Sequence, residues 1–129
     1  TYAWSGSTAD MARERIAMTE AEVAVFLAGK RRAVVGLRGP DGGPDVEPVT
    51  FAYVGGEATF QVSRDGSAHR RLVADDRVVC SVEEFPSYAQ IKGVALHGRA
   101  VVFAESDAVA TFRLDVARVE SFDFGKIKR

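Results

Sequence analysis

Apolar residues recur along this chain with two different periods, and the place where the period changes divides it. Val23, Phe26 and Leu27 follow one another at helical spacing behind Thr19-Glu20-Ala21-Glu22. That leader is a capping-box sequence, in which the threonine hydroxyl and a glutamate carboxylate satisfy each other's orphan backbone amides. Gly29 ends the pattern, so the helix has three turns at most. Lys30, Arg31 and Arg32 follow where cations complement a helix dipole. Ahead of the capping box, residues 1–18 read as an N-terminal arm with a short helix predicted around residues 10–16.

From Arg32 onward the apolar positions alternate in short runs separated by turn residues. Residues 32–38 predict a first strand, and Gly39-Pro40-Asp41-Gly42-Gly43-Pro44 a turn. Residues 46–54 predict a second strand, with Val49, Phe51 and Tyr53 on one face and Thr50 and Ala52 on the other. Gly55-Gly56 turns the chain into a third, residues 57–63, with Ala58, Phe60 and Val62 opposite Thr59, Gln61 and Ser63. Pro48 lacks a ladder donor, which marks an edge, a bulge or a place where a ligand replaces the ladder. Arg64-Asp65-Gly66 interrupts the sheet, and Ser67 is placed to cap a short helix reaching Asp75. Residues 77–83 predict a fourth strand, and a loop through Phe85-Pro86-Ser87-Tyr88 leads to a long fifth, residues 91–103. Phe112, Leu114 and Val116 alternate in a sixth, and residues 119–124 form a further alternating run. Six to seven strands with one or two short helices make a mainly β chain (α+β by helix content). Such strands predict a closed or nearly closed antiparallel barrel, since closure removes exposed edges. One face of the long strands, including Ile91, Val94 and Leu96, is expected to lack an internal core and to be covered by a second copy.

Composition narrows the function classes. A chain of 129 residues predicts one domain, residues 19–129 after the arm, and 47% apolar with 27% charged residues is a globular balance. The formal net charge of −1 argues against a nucleic-acid binder. No apolar run reaches the roughly 18 residues that span a bilayer. The first thirty residues have no apolar signal core, so a cytoplasmic protein without membrane attachment is expected. Cys80 is the sole cysteine, which excludes an internal disulfide and a multi-cysteine zinc site. Its place in an apolar strand predicts a packed thiol. His69 and His97 are the sole histidines and have no carboxylate at ligand spacing, so no protein-ligated metal is expected.

One stretch does have chemical character. Ser63-Arg64-Asp65-Gly66-Ser67-Ala68-His69-Arg70-Arg71 runs from a strand end into a helix start. Hydroxyls, free helix amides and cationic groups converge there, a composition that suits a phosphate. A solvated turn with a capping serine is the alternative.

The order of the pieces resembles the pyridoxamine 5'-phosphate oxidase-like family of FMN- and deazaflavin-binding split β-barrels, over residues 19–126. The resemblance is carried by Met18-Thr19-Glu20-Ala21-Glu22-Val23, Phe26-Leu27, Arg32-Ala33-Val34-Val35, Asp41-Gly42 and Glu47-Pro48-Val49-Thr50-Phe51-Ala52-Tyr53. Further along it rests on Phe60, Ser63, Gly66-Ser67, Leu72, Asp76-Arg77-Val78, Gly93-Val94, Gly98-Arg99-Ala100 and residues 118–124. It implies a homodimer with two cofactors at the subunit interface, the cofactor being FMN or an 8-hydroxy-5-deazaflavin coenzyme; a minority of members bind haem. Pro48, Val49 and Thr50 would line the ring through backbone groups, and Gln61, Val62 and Ser63 would meet ring and ribityl chain. Ser67, with His69 and Arg70 or Arg71 after it, would hold the phosphate. Tyr88, Ile91 and Lys92 fall where the partner subunit approaches the cofactor, and Lys92 or Tyr88 is placed to protonate a reduced substrate. His69 stands where the family commonly has lysine, so its imidazole or the adjacent arginines would take the phosphate. The implied activity is hydride transfer between cofactor and a small organic molecule, with no classical catalytic residue. The alternatives are a module that binds flavin without turnover, and a haem protein using His97 or His69 as axial ligand.

Overall fold

The computed structural model describes residues 15–87 and 90–127. Arg15 and Ile16 are helical; the rest of the short helix expected around residues 10–16 lies outside the described residues. Helix α1, Glu20–Leu27, begins with the expected capping box: Glu22 N–H donates to Thr19 Oγ1, and Thr19 N–H donates to Glu22 Oε1. Lys126 Nζ also donates to Glu22 at 2.5 Å, and that bond with the Thr19 amide draws the Glu22 carboxyl down to about 2. Gly29, at φ +80°, turns the chain out of the helix. The basic trio after it is not merely solvated: Lys30 pairs with Glu84 at 2.9 Å and lies over the Phe26 ring.

Six antiparallel strands follow: β1 Arg32–Arg38, β2 Pro44–Val54, β3 Glu57–Ser63, β4 Arg77–Glu84, β5 Lys92–Glu105 and β6 Val109–Asp123. Helix α2, Ser67–Ala74, lies between β3 and β4. The strands close into a barrel in the order β1-β2-β3-β6-β5-β4. Alternation decides what lies inside. Val35, Phe51, Phe60, Cys80, Val94, Leu96 and Phe112 point inward and are buried, and Phe60 and Phe112 stack at 5.6 Å in the centre. Val94 and Leu96 are therefore core residues, at 1% and 3% exposure, and not the uncovered face expected of them. A barrel this narrow fills its own interior, so it is the outward residues of β5 that meet solvent.

The expected sixth and seventh alternating runs are one strand. Ala117 has no counterpart across the ladder, because His97 pairs with Arg118 and Gly98 with Val116. Such a bulge reverses which residues face inward, from even numbers before it to odd numbers after it, and so divides the pattern in two. A second bulge, on β5 at Phe103, restores the original register, with Ala104 opposite Thr111 and Glu105 opposite Ala110.

The closure is incomplete. β3 pairs with β6 only from Ser63 and Val109 to Thr59 and Arg113. Beyond Arg113 that edge of β6 has no strand partner, and α1 with residues 16–18 lies over the gap, where Met18 N–H donates to Ser121 Oγ at 2.8 Å.

Gly98 sits where the two bulged backbones approach. A Cβ there would lie 2.0 Å from the Asp115 carbonyl oxygen. Backbone cannot yield as a side-chain tip can, so Gly98→Ala should destabilise the barrel by about 3 kcal/mol or more. Urea unfolding checks this against Val101→Ala on the exposed part of the same strand, which should cost under about 1 kcal/mol.

Candidate functional site

Outward positions on four adjacent strands share one surface. In register lie Arg32 of β1, Thr50 of β2, Gln61 of β3 and Thr111 of β6. Beside them on the same face are Ala52, Thr59 and Arg113. Short polar side chains in successive outward positions leave room for a planar group to lie on the sheet. Thr50 and Gln61 are exposed as their alternation requires, whereas Val49 and Val62 turn their side chains into the core at 4% and 6% exposure. Those two valines offer a ligand backbone groups only.

Pro48 lies opposite Val34 of β1. Phe51 N–H bonds to Arg31 O at 2.8 Å, so odd-numbered residues of β2 point their backbone groups at β1 and even-numbered ones point away. The proline nitrogen thus faces away from β1, where β2 has outrun β3, whose pairing begins at Thr50 and Gln61. Pro48 therefore stands at a local edge of β2, one of the readings that its sequence position allows.

The turn after β3 is tightly built. Gly66 N–H donates to Ser63 O at 3.1 Å, and Asp65 adopts φ 60°, the sole positive φ of a non-glycine residue among those described. Gly66, not Ser67, is the N-cap of α2, and no side chain caps it. Ser67 is the first helical residue, which corrects its expected capping role. The first bond into the helix is Arg70 N–H to Gly66 O, leaving the amides of Ser67, Ala68 and His69 as the helix's orphan donors. With the exposed Ser63 and Ser67 they form a corner of hydrogen-bond donors at one end of that surface, a composition that suits an anion.

The cations of this turn are committed elsewhere. Arg64 donates to Ser106 O at 2.9 Å and lies 3.4 Å from Glu105; Arg70 donates to Asp65 O; Arg71 pairs with Asp45. His69 is 7% exposed, so the expectation of an imidazole held out to a phosphate is corrected. Helical spacing puts it with Ala68 and Leu72 on the buried face of α2, its ring edge against Phe112. Its Nδ1 accepts Asp65 N–H at 2.8 Å, and its Nε2 lies 3.6 Å from Glu105. Arg32 and Arg113, by contrast, have no hydrogen bond or ion pair to any described residue. Sequence reasoning missed these two and Thr111. The signal was the alternation of Thr111 and Arg113 with Phe112 and Leu114, unusable without knowing that β3 pairs with β6 and not with β4.

Ile91 and Lys92 lie far from this surface within one chain. Lys92 stands between Glu84 and Asp123, and Ile91 O accepts Phe124 N–H at 3.0 Å. From β2 to β5 is three strands in either direction around the barrel. Tyr88 lies outside the described residues. His97 Nδ1 lies 3.2 Å from an Arg118 nitrogen, and its buried Nε2 is 2.7 Å from Glu120, off the line of a formed hydrogen bond. An axial haem role for either histidine would break these contacts. Among the described residues no three His, Cys, Asp or Glu side chains cluster as metal ligands. No described helix is long and apolar enough to cross a membrane.

A cavity of about 1080 Å³ opens at the incomplete closure, away from the Ser63–Ser67 corner. Val23 and Leu27 of α1, Tyr53 of β2, and Leu114, Val116 and Val119 of β6 line it. Arg113 borders both the cavity and the strand surface.

A small antiparallel barrel of six strands with two short helices is a fold with precedents. Particular solved structures share it. A conserved hypothetical protein from Mycobacterium tuberculosis is 22% identical over 91% of this chain and 93% of its own, with a TM-score of 0.80. An FAD-binding protein from Mesorhizobium loti is 18% identical over 81% of this chain and 94% of its own, at 0.68. An FAD-binding protein from Mycobacterium smegmatis is 11% identical over 84% and 98%, at 0.69. At such identities the likeness is one of fold. No family model and no curated protein matches the chain.

Cys80, fully enclosed in the barrel, has its thiol pushed up to about 12 by burial. A thiolate is the reactive form, so this cysteine should not react with a disulfide reagent at pH 8 until the protein is unfolded. Labelling of the native protein within minutes would mean that the barrel opens.

Proposed function

We propose that the chain binds a flavin-type cofactor, FMN or an 8-hydroxy-5-deazaflavin coenzyme, on the outer face of β1, β2, β3 and β6. It would use that cofactor to move a hydride to or from a small organic molecule. The observation that carries this reading is the continuity of the Thr50–Gln61–Thr111 row with the corner at Ser63 and Ser67. A planar ring with a phosphate at the end of a flexible chain matches both parts. The bound cofactor supplies the hydride chemistry. Thr50 and Gln61 orient its ring by hydrogen bonds, the Pro48 and Val49 backbone borders it, and the Ser63 and Ser67 hydroxyls with the orphan amides hold its phosphate. The apolar cavity that meets this face at Arg113 would receive the organic substrate.

A homodimer in the cytoplasm belongs to the same reading. Lys92 begins β5, three strands around the barrel from Thr50, so it and Ile91 before it would reach a cofactor only from a second copy, and Tyr88 is expected to act with them. Val102 and Phe103, 53% and 60% exposed on β5, provide apolar surface for that contact. No carboxylate or histidine belongs to the Arg32–Thr50–Gln61–Thr111 row, which favours chemistry carried by the cofactor. Turnover with a reductant separates an enzyme from a module that binds without turnover.

Titration of the purified protein with FMN, FAD and the deazaflavin coenzyme, followed by cofactor fluorescence, tests the reading. Gln61→Ala should weaken binding by about 0.5–1.5 kcal/mol, the net worth of one hydrogen bond, with a smaller effect on folding. Binding of none of the three compounds overturns it. Phe103→Asp should convert a dimer to monomer in light scattering and weaken cofactor binding together; a wild-type monomer that binds cofactor normally would remove the second copy from the site.

A further inference from the structure

The buried His69 takes no part in the binding just described, yet it is tied to the turn that forms the anion corner. We propose that neutral His69 is a positioning residue: its Nδ1 holds the Asp65 amide, fixes Asp65 in its left-handed conformation, and so aims the Ser67 end of α2 at a phosphate. The identity of the anion rests on the flavin reading; the construction of the turn does not.

Asp65 takes a left-handed backbone conformation that is uncommon outside glycine, although aspartate, like asparagine, enters it more readily than other residues. Its N–H would be an orphan donor without the Nδ1 acceptor 2.8 Å away. An imidazole nitrogen that accepts carries no proton, so the neutral ring keeps its hydrogen on Nε2, facing Glu105 at 3.6 Å. Glu105 reaches that place because the bulge at Phe103 sets it opposite Ala110. Arg64 ties Glu105 and Ser106 O back to the turn, and Arg70 holds Asp65 O from the other side.

The groups facing the ring define what acid would do. Glu105 comes from β5 and Asp65, with Oδ1 3.9 Å from Nδ1, from the turn. Arg64 and Arg70 are each held by acceptors of the chain, and β6 presents only the Phe112 ring. A proton on Nδ1 turns the acceptor into a donor. The cation then has two carboxylates to satisfy it, and the Asp65 amide is released. The turn thus has two arrangements, amide-bound with the neutral ring and carboxylate-bound with the charged one.

The sign separates this role from direct contact. An imidazolium touching the phosphate would strengthen binding as pH falls. Positioning through the neutral ring weakens it once acid protonates the ring. FMN affinity of the wild-type protein should fall about tenfold from pH 7.5 to 5.5. His69→Asn keeps an acceptor near the Nδ1 position without titrating. It should retain near wild-type affinity at pH 7.5 and show only the weaker dependence imposed by the phosphate's own second ionisation. His69→Leu should bind weakly at both pH values. In the unliganded protein, nitrogen-15 NMR should find the His69 proton on Nε2, and hydrogen exchange should find the Asp65 amide protected at pH 7.5 and released at 5.5. Tighter FMN binding in acid, a proton on Nδ1 at pH 7.5, or an Asp65 amide whose protection ignores His69→Leu each overturns the proposal. FMN that fails to bind at any pH, with the Asp65 protection intact and dependent on His69, instead overturns the flavin reading and leaves the positioning role supported.

Discussion

The pairing of β5 with β6 along nearly their whole lengths is the constraint on which the rest of this barrel depends. β4 can close onto β1 through a short ladder, and β3 onto β6 through another, because the long ribbon holds the far side together. The ribbon's bends determine where closure fails, and that failure opens the cavity beside α1. They also deliver Glu105 to the buried histidine. The core and the candidate site are therefore set by one ladder.

Site and core are also interleaved residue by residue. Gln61 stands between Phe60 and Val62, and Thr111 between Ala110 and Phe112, all four neighbours buried. The outward side chains therefore inherit the rigidity of the close-packed interior beneath them. The Ser63–Ser67 corner is different. It is an irregular turn held by side chains, among them His69, Arg64 and Arg70, so its geometry rests on individual hydrogen bonds and not on a ladder.

Much of this was legible in the sequence because its signals are local. Period-two alternation located β1 to β5 within a few residues, the capping box located α1, and the outward facing of Thr50 and Gln61 followed directly. What was not legible depended on distant pairing. Ala117 looks like an interruption between two strands until Arg118 is seen opposite His97. Val94 and Leu96 look like an interface until the barrel wraps around them. His69, between Ala68 and Arg70, looks like a first-turn residue free to meet a ligand. Nothing in its neighbours reveals that Leu72 and Phe112 draw its ring inward. Arg32 and Arg113 gain interest only because no described residue supplies their side chains with an acceptor, a property of the folded chain alone.

The two bulges offset one another. Ala117 adds a residue to β6 and Phe103 adds one to β5, so the ladder is displaced by a single step between them and regains its original alignment beyond. Removing either residue alone would leave the displacement uncorrected along half the ribbon, whereas removing both would give one continuous ladder of unchanged strand order. Length variation in this fold is thus permitted in matched pairs on opposite strands. Chains that differ by such a paired insertion or deletion would keep Glu105 opposite Ala110, and so keep the corner beside His69, while the length of both strands changes.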